Sequence, residues 1–323
     1  MHHLRDDNQE IRNYYDLSLE EFHLQNYKKA LILIQKKLKE APLDISALLL
    51  KAKIYFRKKE LKHSIDVYTK CQKMNPRLVE ALTGIANCYK ELRQYEVALE
   101  KYEKIIEIEP TERIYNSIGF CFYSLNKKME AIYAYNKAIS INPNFHEAYY
   151  NKGICLSNIG KKEEAITEYD KALILFPNYV ECLVHKGYAL YSLGKYEDSF
   201  QTINKAIDLD HENIDAIFQR GQVSIELKKY QEAIEDMTIC IENNFNIYYS
   251  YYNRGIAYIK LENYINAKSN LESCIKINPN GTRAIFKLGE VYIIEKNYEK
   301  AMEKFTAVIN LDNTYYEAYF NKG

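Results

Sequence analysis

The groups in this chain that could hold a metal or move protons are seven histidines, seven cysteines and 44 carboxylates. None of them falls into a working arrangement. His2, His3, His23, His63, His146, His185 and His211 include no H-x-x-x-H pair and none at ligand spacing from a cysteine. The cysteines include no C-x-x-C pair. Adjacent carboxylates such as Glu163-Glu164 stand where a helix would begin, where they complement the positive end of its dipole. No glycine-rich phosphate loop is present. The expectation is a chain without catalytic residues, metal or cofactor, and so not an enzyme.

What remains is the chemistry of recognition, carried by 31 tyrosines, 12 phenylalanines and many amides and charges. These side chains recur at a fixed interval. Tyr150, Val184, Phe218, Tyr252 and Phe286 are 34 residues apart, and Asn151, His185, Gln219, Asn253 and Lys287 each follow by one. Glu147, Glu181 and Asp215 form an acidic row with the same step, and Ile154, Tyr188, Gln222 and Ile256 form an apolar and amide row. Gly119, Gly153, Gly187, Gly221, Gly255, Gly289 and Gly323 keep step with them, as Pro42, Pro76, Pro110, Pro143 and Pro177 do but for one missing residue. A period of this length marks a stack of identical supersecondary units.

The elements that position these residues are helices. In residues 146–179, Tyr149, Gly153 and Leu156 are spaced by four and three, which puts them on one helix face. Gly160 supplies the left-handed stop. Ala165, Tyr169 and Ala172 repeat the pattern on a second helix, and Pro177 lies in the turn that ends it. Gly153 and Ala165 mark the crossing of the two helices, with Gly119/Ala131, Gly221/Ala233, Gly255/Ala267, Gly289/Ala301 and Gly187/Ser199 as counterparts. Residues 1–10 read as a polar lead-in, with Asp6, Asp7 or Asn8 placed to cap a first helix. Repeats follow at 11–44, 45–78, 79–111, 112–145, 146–179, 180–213, 214–247, 248–281 and 282–315, with a partial tenth at 316–323. Glu21 replaces a buried aromatic in the first repeat, as suits a terminal repeat that tolerates solvent. The tenth breaks off inside a helix, so the expectation is a piece of a longer array.

The order large apolar, glycine or alanine, aromatic, then alanine, aromatic, alanine and proline resembles the tetratricopeptide repeat over residues 11–323. Ser18 and Ala52 stand for the glycine in the first two repeats, His211, Phe245 and Asn313 for the proline, and tryptophan is absent. The resemblance implies an all-α fold, a right-handed α-solenoid of helix–turn–helix repeats whose first helices line a concave groove. It also implies the function, a scaffold that binds an extended or helical segment of a partner protein in that groove. The groove residues so implied are Tyr150, Asn151, Tyr188, Tyr191, Phe218, Gln219, Gln222, Tyr252, Asn253, Arg283 and Lys287, with Glu147, Glu181 and Asp215 favouring a basic stretch of the partner. The amide row is similar to the asparagine ladder of O-GlcNAc transferase arms, broken by His185 and Lys287. Co-chaperones that clamp a terminal carboxylate are similar too. Asn253, Arg283 and Lys287 match that clamp, but Phe218 replaces its lysine and Gln222 an asparagine.

Charge and composition limit the partners. Lysine plus arginine and aspartate plus glutamate both number 44, so no net field draws the chain to nucleic acid or anionic lipid. The longest apolar runs are too short to insert into a membrane. Cys71, Cys88, Cys121, Cys155, Cys240 and Cys274 fall at small-residue packing positions and read as buried thiols, which suits a cytoplasmic protein. Association with the cytoskeleton or cilia stays open, as do two further functions. One is the substrate-recruiting arm of an enzyme whose chain continues past residue 323. The other is a structural subunit of a large assembly of ciliary, transport or ubiquitin-ligase type.

Overall fold

The computed structural model describes residues 13–322, all of whose regular elements are α-helices. The cap residues expected at Asp6, Asp7 and Asn8 lie outside the described residues, as does Gly323. Two compact units divide the chain after Cys155. The first unit holds α1 (Tyr14–His23), α2 (Tyr27–Glu40), α3 (Ile45–Arg57), α4 (Leu61–Met74), α5 (Val79–Glu91), α6 (Tyr95–Ile106), α7 (Glu112–Ser124) and α8 (Lys128–Ile141). The boundary falls within α9 (His146–Asn158). The second unit continues with α10 (Lys162–Leu175), α11 (Val180–Ser192), α12 (Tyr196–Leu209), α13 (Ile214–Glu226), α14 (Tyr230–Glu242), α15 (Ile247–Lys260), α16 (Tyr264–Ile277), α17 (Thr282–Ile294), α18 (Tyr298–Leu311) and α19 (Tyr316–Lys322). From α1 to α8, and again from α10 to α19, each helix packs on the next.

Local chemistry starts and stops these helices. Asn13 caps α1, its side-chain oxygen accepting from the N–H groups of Tyr15 and Asp16 at 2.8 and 3.1 Å. Asp44, Thr111 and Asn213 cap α3, α7 and α13 in the same way. Each such cap contributes about 1 kcal/mol. The turn inside each repeat passes through one left-handed residue. It is Gly160 or Gly194 in two repeats, but Gln25, Lys59, Arg93, Asn126, Lys228, Glu262 and Lys296 in the others. A side chain there costs on the order of 1 kcal/mol, so packing rather than local preference sets most of these turns.

The helix crossings explain the glycine register. A Cβ on Gly119 would lie 2.5 Å from the Tyr135 ring, one on Gly221 2.4 Å from Cε of Met237, and one on Gly289 2.7 Å from the Phe305 ring. Where serine enters a crossing, its hydroxyl is satisfied across it. Ser18 donates to the carbonyl of Ala30, Ser64 to that of Ala52 and Ser199 to that of Gly187, each at 2.8 Å. Glu21 is held by Lys29 and by the Asn26 amide, which together lower its pKa.

Successive repeats of the second unit are also stitched by polar bonds. Arg220 donates to both carboxylate oxygens of Asp236, at 3.0 and 2.7 Å, and reaches back to Oδ1 of Asn204 at 3.1 Å. Arg254 repeats the pattern with Asn270 at 2.8 Å and Thr238 at 2.9 Å. Lys186, shorter and without a fork, pairs with Asp170 of the preceding repeat at 2.6 Å. All seven cysteines are buried and free, and burial pushes the thiols of Cys155, Cys182, Cys240 and Cys274 up to about 12.

Candidate functional site

The candidate site is a cavity of about 370 Å³ in the second unit. Four first helices supply it: Tyr191 from α11, Gln222, Ile225 and Glu226 from α13, Tyr248, Tyr249, Tyr252, Asn253 and Ile256 from α15, and Arg283 and Lys287 from α17. The spacing on α15 puts Tyr249, Tyr252, Asn253 and Ile256 on one helical face. A second cavity, of about 440 Å³, shares Ile256 and Lys287 with the first and adds Ile259, Ile293 and Asn321. The lining therefore passes from aromatic near α15 to aliphatic near α17.

Its polar groups differ in how far they are already used. Lys287 pairs with Glu290 at 2.7 Å. Arg283 is exposed and makes no ion pair or hydrogen bond among the described residues. Nδ2 of Asn253 is buried with no hydrogen-bond acceptor, and so is Oε1 of Gln219 without a donor. Burial raises the phenol of Tyr252 to about 12, with Arg283 acting in the opposite direction. The site thus presents neutral aromatic rings, an unused amide donor and an unused cation. That set suits non-covalent capture of an extended chain. Among the described residues, no group of three or more histidine, cysteine, aspartate or glutamate side chains is placed to hold a metal ion.

Comparison with known proteins places this geometry in a family. Tetratricopeptide-repeat models match residues 45–78, 79–112, 113–145, 134–167, 248–280 and 282–315, together more than half of the chain. The chain belongs to the tetratricopeptide repeat family. A further model, "Anaphase-promoting complex, cyclosome, subunit 3", matches residues 169–237. No curated protein matches the chain. Among solved structures, the tetratricopeptide fold is similar to the APC/C hetero-tetramer Cut9–Hcn1, at 17% identity and TM-score 0.57 over 97% of this chain. The chain spans 63% of the length of that protein. It is similar also to a tetratricopeptide repeat protein from Parabacteroides merdae, at 16% identity and TM-score 0.55, covering 76% of this chain and 97% of the other. The type IV pilus biogenesis factor PilW aligns at 20% identity and TM-score 0.57 over 62% of this chain and 94% of its own. At these identities the likeness is one of fold. Tetratricopeptide repeats are protein–protein interaction scaffolds, and no helix among the described residues is long and apolar enough to cross a membrane.

Of the residues expected to line a groove, Tyr191, Gln222, Tyr252, Asn253, Arg283 and Lys287 come together in the cavity. Phe218 does not. It is 7% exposed and its ring packs edge-on against Phe245 at 5.8 Å, because Phe245 occupies the turn where other tetratricopeptide repeats carry proline. Val184 and Phe286, at the same register, are buried as well, so from α11 onward this register serves mainly the core. Gln219 lies outside the lining, with its amide N–H₂ 3.5 Å from Asp215. Tyr188 is exposed and sits beneath Nζ of Lys162, 5.1 Å from its ring centroid. Glu181 and Asp215 are exposed but do not line the cavity. Tyr150, Asn151 and Glu147 belong to the first unit, where the Asn151 amide donates to Asn116 at 3.0 Å and Glu147 lies 3.3 Å from His146. Sequence reasoning missed Tyr248 and Glu226. The stretch Tyr248-Tyr249-Ser250-Tyr251-Tyr252, the densest run of tyrosine in the repeats, was the available signal for Tyr248.

Proposed function

We propose that this tetratricopeptide chain takes an extended segment of a partner protein into the cavity lined by α11, α13, α15 and α17. The observation that carries the proposal is the buried Nδ2 of Asn253, left without an acceptor in a cavity walled by four tyrosines. A buried donor without a partner typically costs about 1–3 kcal/mol. A bound segment toward which the Asn253 amide turns would supply a backbone carbonyl and remove that cost, while apolar side chains of the segment cover Tyr191, Tyr252 and Ile256. The test is selection of peptides from a displayed library on the intact chain, followed by binding to a Tyr191→Ala/Tyr252→Ala variant with unchanged helical circular dichroism. Binders that lose at least about tenfold in affinity support the cavity, since buried aromatic anchors are each worth upwards of about 1 kcal/mol. Binders that keep their affinity place the site elsewhere.

A second reading is favoured by the match of residues 169–237 to the anaphase-promoting complex subunit 3 model. In this reading the chain is a structural subunit of a large ubiquitin-ligase type assembly. Native mass spectrometry of the tagged chain from its source cell separates the two. A stoichiometric complex of fixed composition supports the subunit, and a free chain with exchangeable clients supports the scaffold.

A further inference from the structure

The charges that line the α11–α17 cavity are Glu226, Arg283 and Lys287. Lys287 is neutralised by Glu290. Glu226 and Arg283 are both exposed, and neither makes an ion pair with the other or with any described residue. They stand on different helices with α15 in sequence between them: Glu226 ends α13 and Arg283 lies in the first turn of α17. α15 fills the intervening wall with Tyr249, Tyr252, Asn253 and Ile256. The cavity therefore carries one unused charge of each sign, on the two helices that flank the largely aromatic wall of α15. The tyrosines register both. Burial raises the Tyr191 phenol and Glu226 adds to the rise, whereas Arg283 opposes the rise that burial causes at Tyr248 and Tyr252.

We infer that the cavity selects an extended segment with side chains of opposite charge on either side of an apolar residue. A basic side chain lies over α13 at Glu226, an acidic one lies over α17 at Arg283, and the apolar residue sits on Tyr252 and Ile256. The inference rests on the scaffold reading above and adds the chemistry of the partner to it. Unpaired charges at a rim contribute to selection chiefly by excluding wrong partners, because a like charge brought to either edge is repelled. A segment with two acidic flanks meets Glu226, and one with two basic flanks meets Arg283. Nothing in the cavity's charge would otherwise distinguish them.

The test uses the intact chain and three blocked peptides with a central phenylalanine, made in a series of flank spacings. One has lysine on one flank and glutamate on the other, one has two lysines and one has two glutamates. Measured by fluorescence anisotropy at low salt, the lysine–glutamate peptide is expected to bind about three- to fivefold tighter than either of the others, the range set by exposed ion pairs. The preference should shrink as salt is raised. Arg283→Glu should move the preference to the two-lysine peptide and Glu226→Lys to the two-glutamate peptide. Both residues are exposed, so the variants should keep the helical spectrum of the parent. Equal binding of the three peptides, or a rank order unchanged by the single variants, overturns this inference and leaves the groove reading in place. Failure of every peptide to bind removes the groove reading and the inference together.

Discussion

Adjacent residues on the same helices meet opposite fates in this molecule. Arg220 and Arg254 face the second-helix side and spend their guanidinium groups on Asp236, Asn204, Asn270 and Thr238. Gln219 and Asn253, one residue earlier in each case, keep a buried polar atom that no described group satisfies. The first unit shows what a satisfied version looks like: Asn151 donates to Asn116, and the Tyr102 hydroxyl donates to Asn87 at 2.6 Å. Satisfied and unsatisfied polar groups are thus separated by a single step along the helix. The fold uses one register fully and leaves a polar atom of its neighbour unsatisfied.

The contrast can be broken most forcefully at Asp236. Asp236→Ala leaves the half-buried Arg220 without its carboxylate, and removing one member of a buried pair costs about 3–5 kcal/mol. Urea denaturation should show a much lower midpoint. Asn253→Ala, by contrast, removes an orphan donor and the roughly 1–3 kcal/mol that it costs, so stability should hold or rise, while peptide binding weakens. If the two variants behaved alike, the division of labour between the registers would be wrong.

The glycine crossings sharpen the comparison at a smaller scale. Gly221→Leu must displace Met237 and the Cβ of Asp236, 2.4 and 3.0 Å from an added Cβ, for a loss of about 1–3 kcal/mol. At Gly255 the nearest atoms, on Asn270 and Leu271, lie at 3.4 Å. Gly255→Ala therefore fits, and the gain in helix propensity of about 1 kcal/mol should raise the melting temperature.

Much of this was legible before any coordinates. A 34-residue period with small residues at the crossings specifies paired helices, because only one backbone separation lets Gly119 face Tyr135 or Gly289 face Phe305. The stitches were harder to see, since Arg220 and Asp236 are 16 residues apart, although Lys152, Lys186, Arg220 and Arg254 do keep the 34-residue step. Phe218 misled because an apolar side chain on a first helix serves a groove or a core equally well by pattern. Its burial depends on Phe245, which is in another helix–turn segment. The left-handed turns were visible only where glycine marks them, at Gly160 and Gly194.

The last effect expected is one confined to high pH. The buried thiols of Cys155, Cys182, Cys240 and Cys274 titrate near 12 rather than at the ordinary 9.0. The unfolded chain therefore loses those protons first as pH rises, and it is favoured by doing so. Stability from this source is complete below pH 9 and declines from there toward 12. Native thiols should accordingly resist alkylation at pH 8 and react fully in denaturant.

The central claim, that the α11–α17 cavity receives the partner, is tested most directly by photo-crosslinking. A benzophenone amino acid replaces Tyr249, which lines the cavity, or Tyr298, which is exposed on α18 outside its lining. A peptide selected on the native chain is added to each variant, irradiated and mapped by mass spectrometry. Adducts from position 249 and none from position 298 are the predicted result. Adducts from position 298 alone, or equal yields from both, would contradict it.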